Sequence, residues 1–362
     1  MPPTKILQIV PRLPPYSDGV GDYARLLAQQ LRRTHQIETE FITFRPGAET
    51  PDRVDGFRTH RLFTHSVDAF ISLSPKNIGG ILLHYSNYPY LEGKLNAPFW
   101  LVQALRKLRQ QKLRQHKSMP LVTMFHELPT LKWKQIRILN PIQSQVSRQL
   151  SRLASAVFTD SHHFKKHLQK WTQAPITCIP DFSTIGEPKP TELKPLKQRQ
   201  RRLVVFGSSD RIRAYQNRDR LLATCKALNI PEICDIGAPQ KLDPRSFSPL
   251  TFTEIGFQPA ERVQAILLDS MAGLIDYSKF PGDLGKSSVF AAFCAHGLMP
   301  ICTAYNPSEP DGIFADRQYA IAGKTLTSYS PAQCQTIADQ ARTWYCQHDL
   351  ASNARQFASH FV

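Results

Sequence analysis

Residues 272–302, Ala-Gly-Leu-Ile-Asp-Tyr-Ser-Lys-Phe-Pro-Gly-Asp-Leu-Gly-Lys-Ser-Ser-Val-Phe-Ala-Ala-Phe-Cys-Ala-His-Gly-Leu-Met-Pro-Ile-Cys, admit few folds. An apolar run at 272–275 ends at Asp276, and Pro281, Gly282 and Gly285 then interrupt regular structure. Val289, Phe290, Phe293 and Cys294 recur at helical spacing until Gly297 stops the helix before a second apolar run at 298–302. Strand, glycine loop, helix and strand in that order make the repeating unit of a parallel α/β sheet. The helix start is chemically loaded. Free N–H groups and the positive end of the helix dipole meet Lys286, Ser287 and Ser288, with Asp283 and Gly285 in the loop, which suits a phosphate or diphosphate. A Walker loop would need glycine at position 281, which is Pro281. The plainer alternative is that Ser287 caps a helix and Lys286 is solvated.

The same alternation runs through the chain. The run at 5–10 reads as a first buried strand, followed by a glycine turn, Asp18-Gly-Val-Gly-Asp22, and a helix over 20–33. Strands are expected at 37–44, 81–85, 121–125, 156–159 and 176–179, with helices at 99–116, 141–153 and 162–171. A proline-bearing, charged stretch at 186–201 reads as a linker, after which the pattern restarts. Strands are expected at 202–206, 233–237 and 252–256, a loop at 207–213, helices at 218–228 and 260–270, and two closing helices at 331–346 and 350–361. A chain of 362 residues exceeds what one core usually holds, so the expectation is two domains, 1–185 and 202–362. The final helices are candidates to pack back on the first domain.

In doubly wound sheets functional residues collect beyond the carboxyl ends of strands. That rule selects Asp18 with Gly19 and Gly21, His84 to Asn87, His126-Glu127, Asp160-Ser161 and Pro180-Asp181 in the first half. Glycine at 19 and 21 leaves room for a ligand against the backbone. His126 can donate to a sugar hydroxyl, and Glu127 can accept a proton or stabilise a cationic sugar centre, against the alternative of a structural loop histidine. In the second half Gly207, Ser208 and Ser209 end the first strand, and Arg211 and Arg213 can reach a phosphate.

Charge and cysteines narrow the classes further. Net charge is +16, and residues 100–171 hold fourteen Lys and Arg against two acids, Glu127 and Asp160, so something acidic should meet that face. The basic amphipathic helix at 100–117 suits an anionic membrane surface or a polyanionic acceptor, unless its apolar face is used in the core. Seven cysteines without a CxxC pair read as reduced, buried thiols rather than disulfides or a zinc site. His162, His163 and His167 have ligand spacing, but no carboxylate or thiol beside them, and read as a surface helix. With no run of eighteen apolar residues and no secretory signal, the expected place is the cytoplasm, peripheral to the inner membrane surface if the basic helix engages lipid.

Several of these pieces together resemble the GT-B fold of nucleotide-sugar glycosyltransferases, especially the family 4-like retaining enzymes. They are residues 5–31 with the Asp18 to Tyr23 turn, Thr123-Met-Phe-His126, Val157-Phe-Thr-Asp-Ser161, Cys178-Ile-Pro-Asp181, Val204-Val-Phe-Gly207, Glu254-Ile-Gly-Phe257 and Phe293-Cys-Ala-His-Gly297. The resemblance implies an α/β fold of two Rossmann-like doubly wound domains facing a cleft, the first binding the acceptor and the second the donor. It implies transfer of a sugar from a nucleotide diphosphate to a glycan, lipid-linked or small-molecule acceptor, with retention. His126 would contact the donor sugar with Glu127 beside it as the second catalytic candidate; Asp18, Tyr85 and Asn87 would meet the acceptor. Gly19, Gly21, Gly207, Ser208, Ser209, Arg211, Arg213, Asp283, Gly285, Lys286, Ser287 and Ser288 would hold donor or diphosphate. No cofactor or metal is implied, and UDP, GDP and ADP are not distinguished. The family's two donor-site glutamates would fall near Leu284 and Ala292, neither acidic, and Asp283 is the candidate replacement for the first if the loop shifts by one residue. Two other classes compete: a polyanion or nucleic-acid binder using the basic face, with Trp133 and Trp171 among its cations but no recognised motif, and a catalytically inactive GT-B subunit.

Overall fold

The structure is a computed structural model and describes residues 4–16, 18–44, 50–91, 97–114, 119–133 and 136–361. Two compact units emerge, Met1–Ile179 together with Leu350–Val362, and Pro180–Asp349. Both are built from strands that read as apolar runs because both faces of a parallel sheet are covered.

In the first unit the elements run β1 (Thr4–Val10), α1 (Gly19–His35), β2 (Ile37–Thr43), β3 (Arg53–Val54), β4 (Phe57–Arg61), α2 (Val67–Leu73), β5 (Gly80–Tyr85), α3 (Phe99–Leu113), β6 (Leu121–Phe125), a hairpin of β7 (Thr130–Trp133) and β8 (Ile136–Leu139), α4 (Pro141–Leu153), β9 (Ala156–Thr159), α5 (His162–Leu168) and β10 (Ile176–Cys178). The eight-stranded sheet has the order β10-β9-β6-β5-β1-β2-β4-β3, parallel except for the antiparallel β3 edge. Strand β1 lies between β2 and β5, so the chain leaves it to one side and returns on the other. Helix α1 starts at Asp18, whose carboxylate accepts from the amides of Val20 and Gly21, and ends at Gln36 in the left-handed region.

Helix α3 buries Leu101, Val102, Ala104, Leu105 and Leu108 in the core, so its apolar stripe is used inside the unit. Its cations are largely engaged there too: Lys107 pairs with Asp68, Arg106 donates to Gln149, Arg109 to the Leu153 carbonyl and Lys112 to the Lys76 carbonyl. Residues 115–117 of the expected basic helix, and the Trp133 side chain, lie outside the described residues. None of the described helices is long and apolar enough to cross a membrane.

The second unit continues with β11 (Gln200–Phe206), α6 (Arg218–Ala227), β12 (Glu232–Ile236), β13 (Thr251–Glu254), α7 (Ala260–Leu268), β14 (Ser270–Ile275), α8 (Ser288–Ala295), β15 (Met299–Cys302), β16 (Ala320–Ile321) and α9 (Pro331–Cys346). The final helix, α10 (Leu350–Ala358), belongs to the first unit. The six strands are all parallel in the order β13-β12-β11-β14-β15-β16, and β11 repeats the placement of β1, flanked by β12 on one side and β14 on the other. Residues 186–201 are part of this unit: Leu196 is buried, and the Arg199 guanidinium donates to the carbonyls of Lys194 and His296. The stretch at 207–213 is not an open loop, because a 3-10 segment spans Ser209–Tyr215. All seven cysteines are free; five are buried, Cys178 is half-buried and Cys346 is exposed.

Gly273 lets α8 lie close on β14: a Cβ there would sit 2.4 Å from the Phe293 ring, which is itself fully buried. Gly273→Ala should therefore cost about 1–3 kcal/mol in chemical denaturation through overpacking, and a variant as stable as the parent would show that α8 is not seated this way. His296, wholly buried at the α8 C-terminus, accepts no charge easily; burial, with Arg199 and Arg342 nearby, pushes its pKa down to about 4. An unfolded histidine titrates near 6.5, so between that pH and about 4 the unfolded chain binds a proton that the folded chain refuses. The contribution is complete above pH 6.5 and shrinks as pH falls. Going from pH 7 to 5, the wild type should lose about 2 kcal/mol more stability than His296→Leu, and equal losses would refute the neutral buried imidazole.

Candidate functional site

The first unit gathers its polar side chains where β1 and β5 diverge. Gln8, on β1 and fully buried, donates through Nε2 to Thr39 Oγ1 at 3.2 Å, and its Oε1 lies 2.9 Å from His84 Nε2. His84 Nδ1 is 3.1 Å from His126 Nε2, and His126 Nδ1 faces Asp160 Oδ2 at 3.8 Å. The Tyr23 ring meets both imidazoles edge-on, and its hydroxyl donates to Asn353 Oδ1 of α10 at 3.0 Å. Burial, with His126 adjacent, holds His84 well below the ordinary histidine pKa, so it is neutral. Glu127 stands beside this chain and accepts from Ser86 Oγ at 3.2 Å.

The structure thus brings His84, His126 and Asp160 together, and adds Gln8, Tyr23 and Asn353. It withdraws other candidates. Tyr85 and Asn87 are fully buried, the tyrosine hydroxyl donating to Asn87 Oδ1 and the Asn87 amide to Gln143, because β5 is a central strand whose end is roofed by α4. They form core contacts rather than an acceptor surface. Asp18 is spent as the α1 cap, and that cap occupies the amides of Val20 and Gly21 that an incoming phosphate would need. Gly21 is required for packing, since a Cβ would fall 2.1 Å from the Arg12 carbonyl oxygen, whereas nothing lies within 4 Å of one at Gly19.

The second unit has a cavity of about 200 Å³ where β11 and β14 diverge. Its floor is Val205, Phe206, Leu274 and Ile275; its walls come from Ser208, Asp210, Arg211, Arg213, Asp276, Tyr277, Lys279, Phe280, Ser287 and Val289. The two arginines differ. Arg211 is buried, with Nη2 2.6 Å from Asp235 Oδ1, and its other donors reach the carbonyls of Gly207, Ser208 and Ala238. Tyr215 also donates to Asp235, at 2.5 Å. Arg211 is therefore an internal ion pair and not a spare cation for a phosphate. Arg213 meets no acceptor among the described residues and lines both this cavity and an adjoining one of about 140 Å³ with Arg220 and Thr303.

Ser287 Oγ accepts from the Phe290 amide, so Ser287 caps α8 and leaves the Ser288 and Val289 amides without an intrahelical acceptor at the cavity edge. Gly285 is held by packing, because a Cβ would lie 2.6 Å from Asp311 Oδ2. Of the donor residues named from sequence, Ser208, Arg211, Arg213 and Ser287 line the cavity; Gly207, Ser209, Asp283, Gly285, Lys286 and Ser288 are not part of its lining, and Gly19 and Gly21 belong to the other unit. Asp276, Tyr277 and Phe280 were the neighbours sequence reasoning passed over, although Asp276 ends a buried strand. Among the described residues no group of three or more His, Cys, Asp or Glu could hold a metal ion.

No protein-family model matches the chain, and no curated protein matches it by sequence. Solved structures match over nearly its whole length. HepE of Anabaena in complex with UDP and glucose has a TM-score of 0.63 at 13% identity, covering 98% of both chains. An alpha-glucosyltransferase in complex with UDP scores 0.60 at 10% identity, again over 98% of each. A candidate UDP-N-acetylglucosamine 2-epimerase from Listeria monocytogenes scores 0.60 at 12% identity over 98% of this chain and 95% of its own. Likeness at such low identity speaks for the fold, and the fold is α/β with two parallel-sheet domains of the GT-B class.

Proposed function

We propose that this chain is a glycosyltransferase that moves a sugar from a nucleotide diphosphate to an acceptor, with retention, as in the family 4-like enzymes it resembles. The observation that carries this reading is the cavity between the ends of β11 and β14, a topological switch point, with the unpaired Arg213 and the free amides of α8 around it. Those groups suit a diphosphate, and charge neutralisation on the departing diphosphate would supply most of the rate acceleration. No metal or cofactor is invoked. Supporting it at the level of fold are the neighbours in complex with UDP and with UDP-glucose. The epimerase neighbour marks the rival use of the same cavity, sugar-nucleotide chemistry without an acceptor.

The acceptor, or what carries it, is proposed to be anionic. The first unit holds 26 Lys and Arg against 11 Asp and Glu, net +15, while the second holds 19 against 18, net +1; together they give the chain's +16. With the apolar stripe of α3 buried, the contact with an anionic lipid surface or a charged glycan is electrostatic rather than inserted. DNA appears with one neighbour, but no nucleic-acid motif is present here, and a charged glycan or lipid is preferred.

Thermal shift with UDP, GDP, ADP and their sugar conjugates tests the donor reading: a ligand at a hundred times its Kd adds about 2.7 kcal/mol. Arg213→Ala should abolish most of that shift with little change in the stability of the free protein. Arg211→Ala should instead destabilise the free protein by about 3–5 kcal/mol, because it strands the Asp235 carboxylate. No shift with any nucleotide sugar in the wild type removes the reading. Isotope-labelled UDP-sugar analysed for inversion of its ring carbons separates epimerisation from transfer. In flotation, vesicles containing anionic lipid should capture the protein at low salt and release it at high salt; equal capture by neutral vesicles would defeat the electrostatic contact.

A further inference from the structure

We propose that Gln8 and His84 are positioning residues that decide which nitrogen of His126 carries the proton of its neutral ring: Nε2, leaving Nδ1 as the atom that takes and gives a proton on the Asp160 side. The argument follows the hydrogen bonds from one end. Thr39 Oγ1 receives the Gln8 Nε2–H, which turns the Gln8 carbonyl oxygen toward His84. An oxygen at 2.9 Å accepts, so His84 Nε2 carries a hydrogen. A neutral imidazole with Nε2–H has a lone pair on Nδ1, and that lone pair faces His126 Nε2 at 3.1 Å. His126 therefore donates from Nε2, and its proton-exchanging atom is Nδ1, 3.8 Å from the Asp160 carboxylate.

The geometry suits an in-plane bond, because the two imidazole planes lie within 19° of each other with centroids 5.4 Å apart. Tyr23 packs edge-on against both rings and keeps them aligned, and Asn353 fixes Tyr23. Without the Gln8 carbonyl the preference would reverse. The Asp160 carboxylate, acting alone, favours a hydrogen on the nearer nitrogen, Nδ1, and His84 would turn its own N–H toward His126. The amide on β1 thus works against the carboxylate beyond β9, and the balance sets the polarity of the imidazole between them.

The tautomer can be read without any substrate. With ¹⁵N-labelled histidine, neutral His126 in the wild type should show the Nε2–H pattern, with a coupling across the hydrogen bond to His84 Nδ1. Gln8→Met should move His126 toward the Nδ1–H pattern, and Gln8→Glu, which restores an accepting oxygen, should return it to Nε2–H. An Nδ1–H tautomer in the wild type, or one unchanged in a folded Gln8→Met, overturns the proposal. Should Gln8→Met fail to fold, the wild-type spectrum still decides. The kinetic arm rests on the reading of this protein as a sugar transferase: Gln8→Met should lower kcat about tenfold or more with KM nearly unchanged, and Gln8→Glu should recover it. Absence of turnover in the wild type would count against that reading while leaving the spectral result to stand or fall by itself.

Discussion

Both units depend on one constraint of parallel sheets, that two adjacent strands whose crossovers run in opposite directions leave a gap beyond their carboxyl ends. In the first unit those strands are β1 and β5, with β2 on the other side of β1; in the second they are β11 and β14, with β12 on the other side of β11. Crossovers that leave adjacent strands in opposite directions do not cover the space between the strands' carboxyl ends, so polar groups there face a gap that side chains must fill. The two units fill it differently. The first closes the gap with a chain of hydrogen bonds among Gln8, His84 and His126, while the second leaves a cavity walled by Ser208, Arg213, Asp276 and Ser287.

Keeping that cavity open uses a buried ion pair as scaffold. Asp235, fully buried on β12, binds Arg211 and Tyr215, which locks the 3-10 segment following β11. Gly237 takes a positive φ of 141° to make room, since a Cβ would lie 2.5 Å from the Gly207 carbonyl oxygen and 2.7 Å from Arg211 Nη1. With one arginine pinned, the next outward residue of the turn, Arg213, is directed at the cavity. The cations of the first unit follow another rule. Many sit in the last turns of helices, as Arg32 and Arg33 of α1, Arg152 of α4 and Lys165 and Lys166 of α5 do, where they offset the negative end of the helix dipole.

The strands of both sheets were legible because burial on both faces forces continuous apolar runs, as at 121–125 and 272–275. The β3–β4 hairpin was not, because Arg53, Arg58, His60 and Arg61 give an edge strand no apolar signature. Site residues were legible where a polar side chain ends a strand, which found His126 and Asp160. The residues that orient them were harder. Gln8 and Asp235 lie inside otherwise apolar strands, and a polar residue in such a run is itself a signal, since burial without a partner is costly. Tyr85 and Asn87 show the opposite error: the strand-end rule selects positions by topology and cannot tell a side chain facing the gap from one turned into the core.

The missing glutamates of the donor domain acquire a physical meaning once α8 is seen. Leu284 and Ala292 are fully buried, so an acid at either position would lose its hydration. The helix end at Ser287 is instead closed by a hydroxyl, leaving two amides and the nearby Arg213 as the groups available to an anion. Such a set discriminates charge and offers little to the hydroxyls of a sugar. Under the proposed function, this unit would grip the diphosphate, and selectivity for the sugar would have to arise from groups other than those carboxylates.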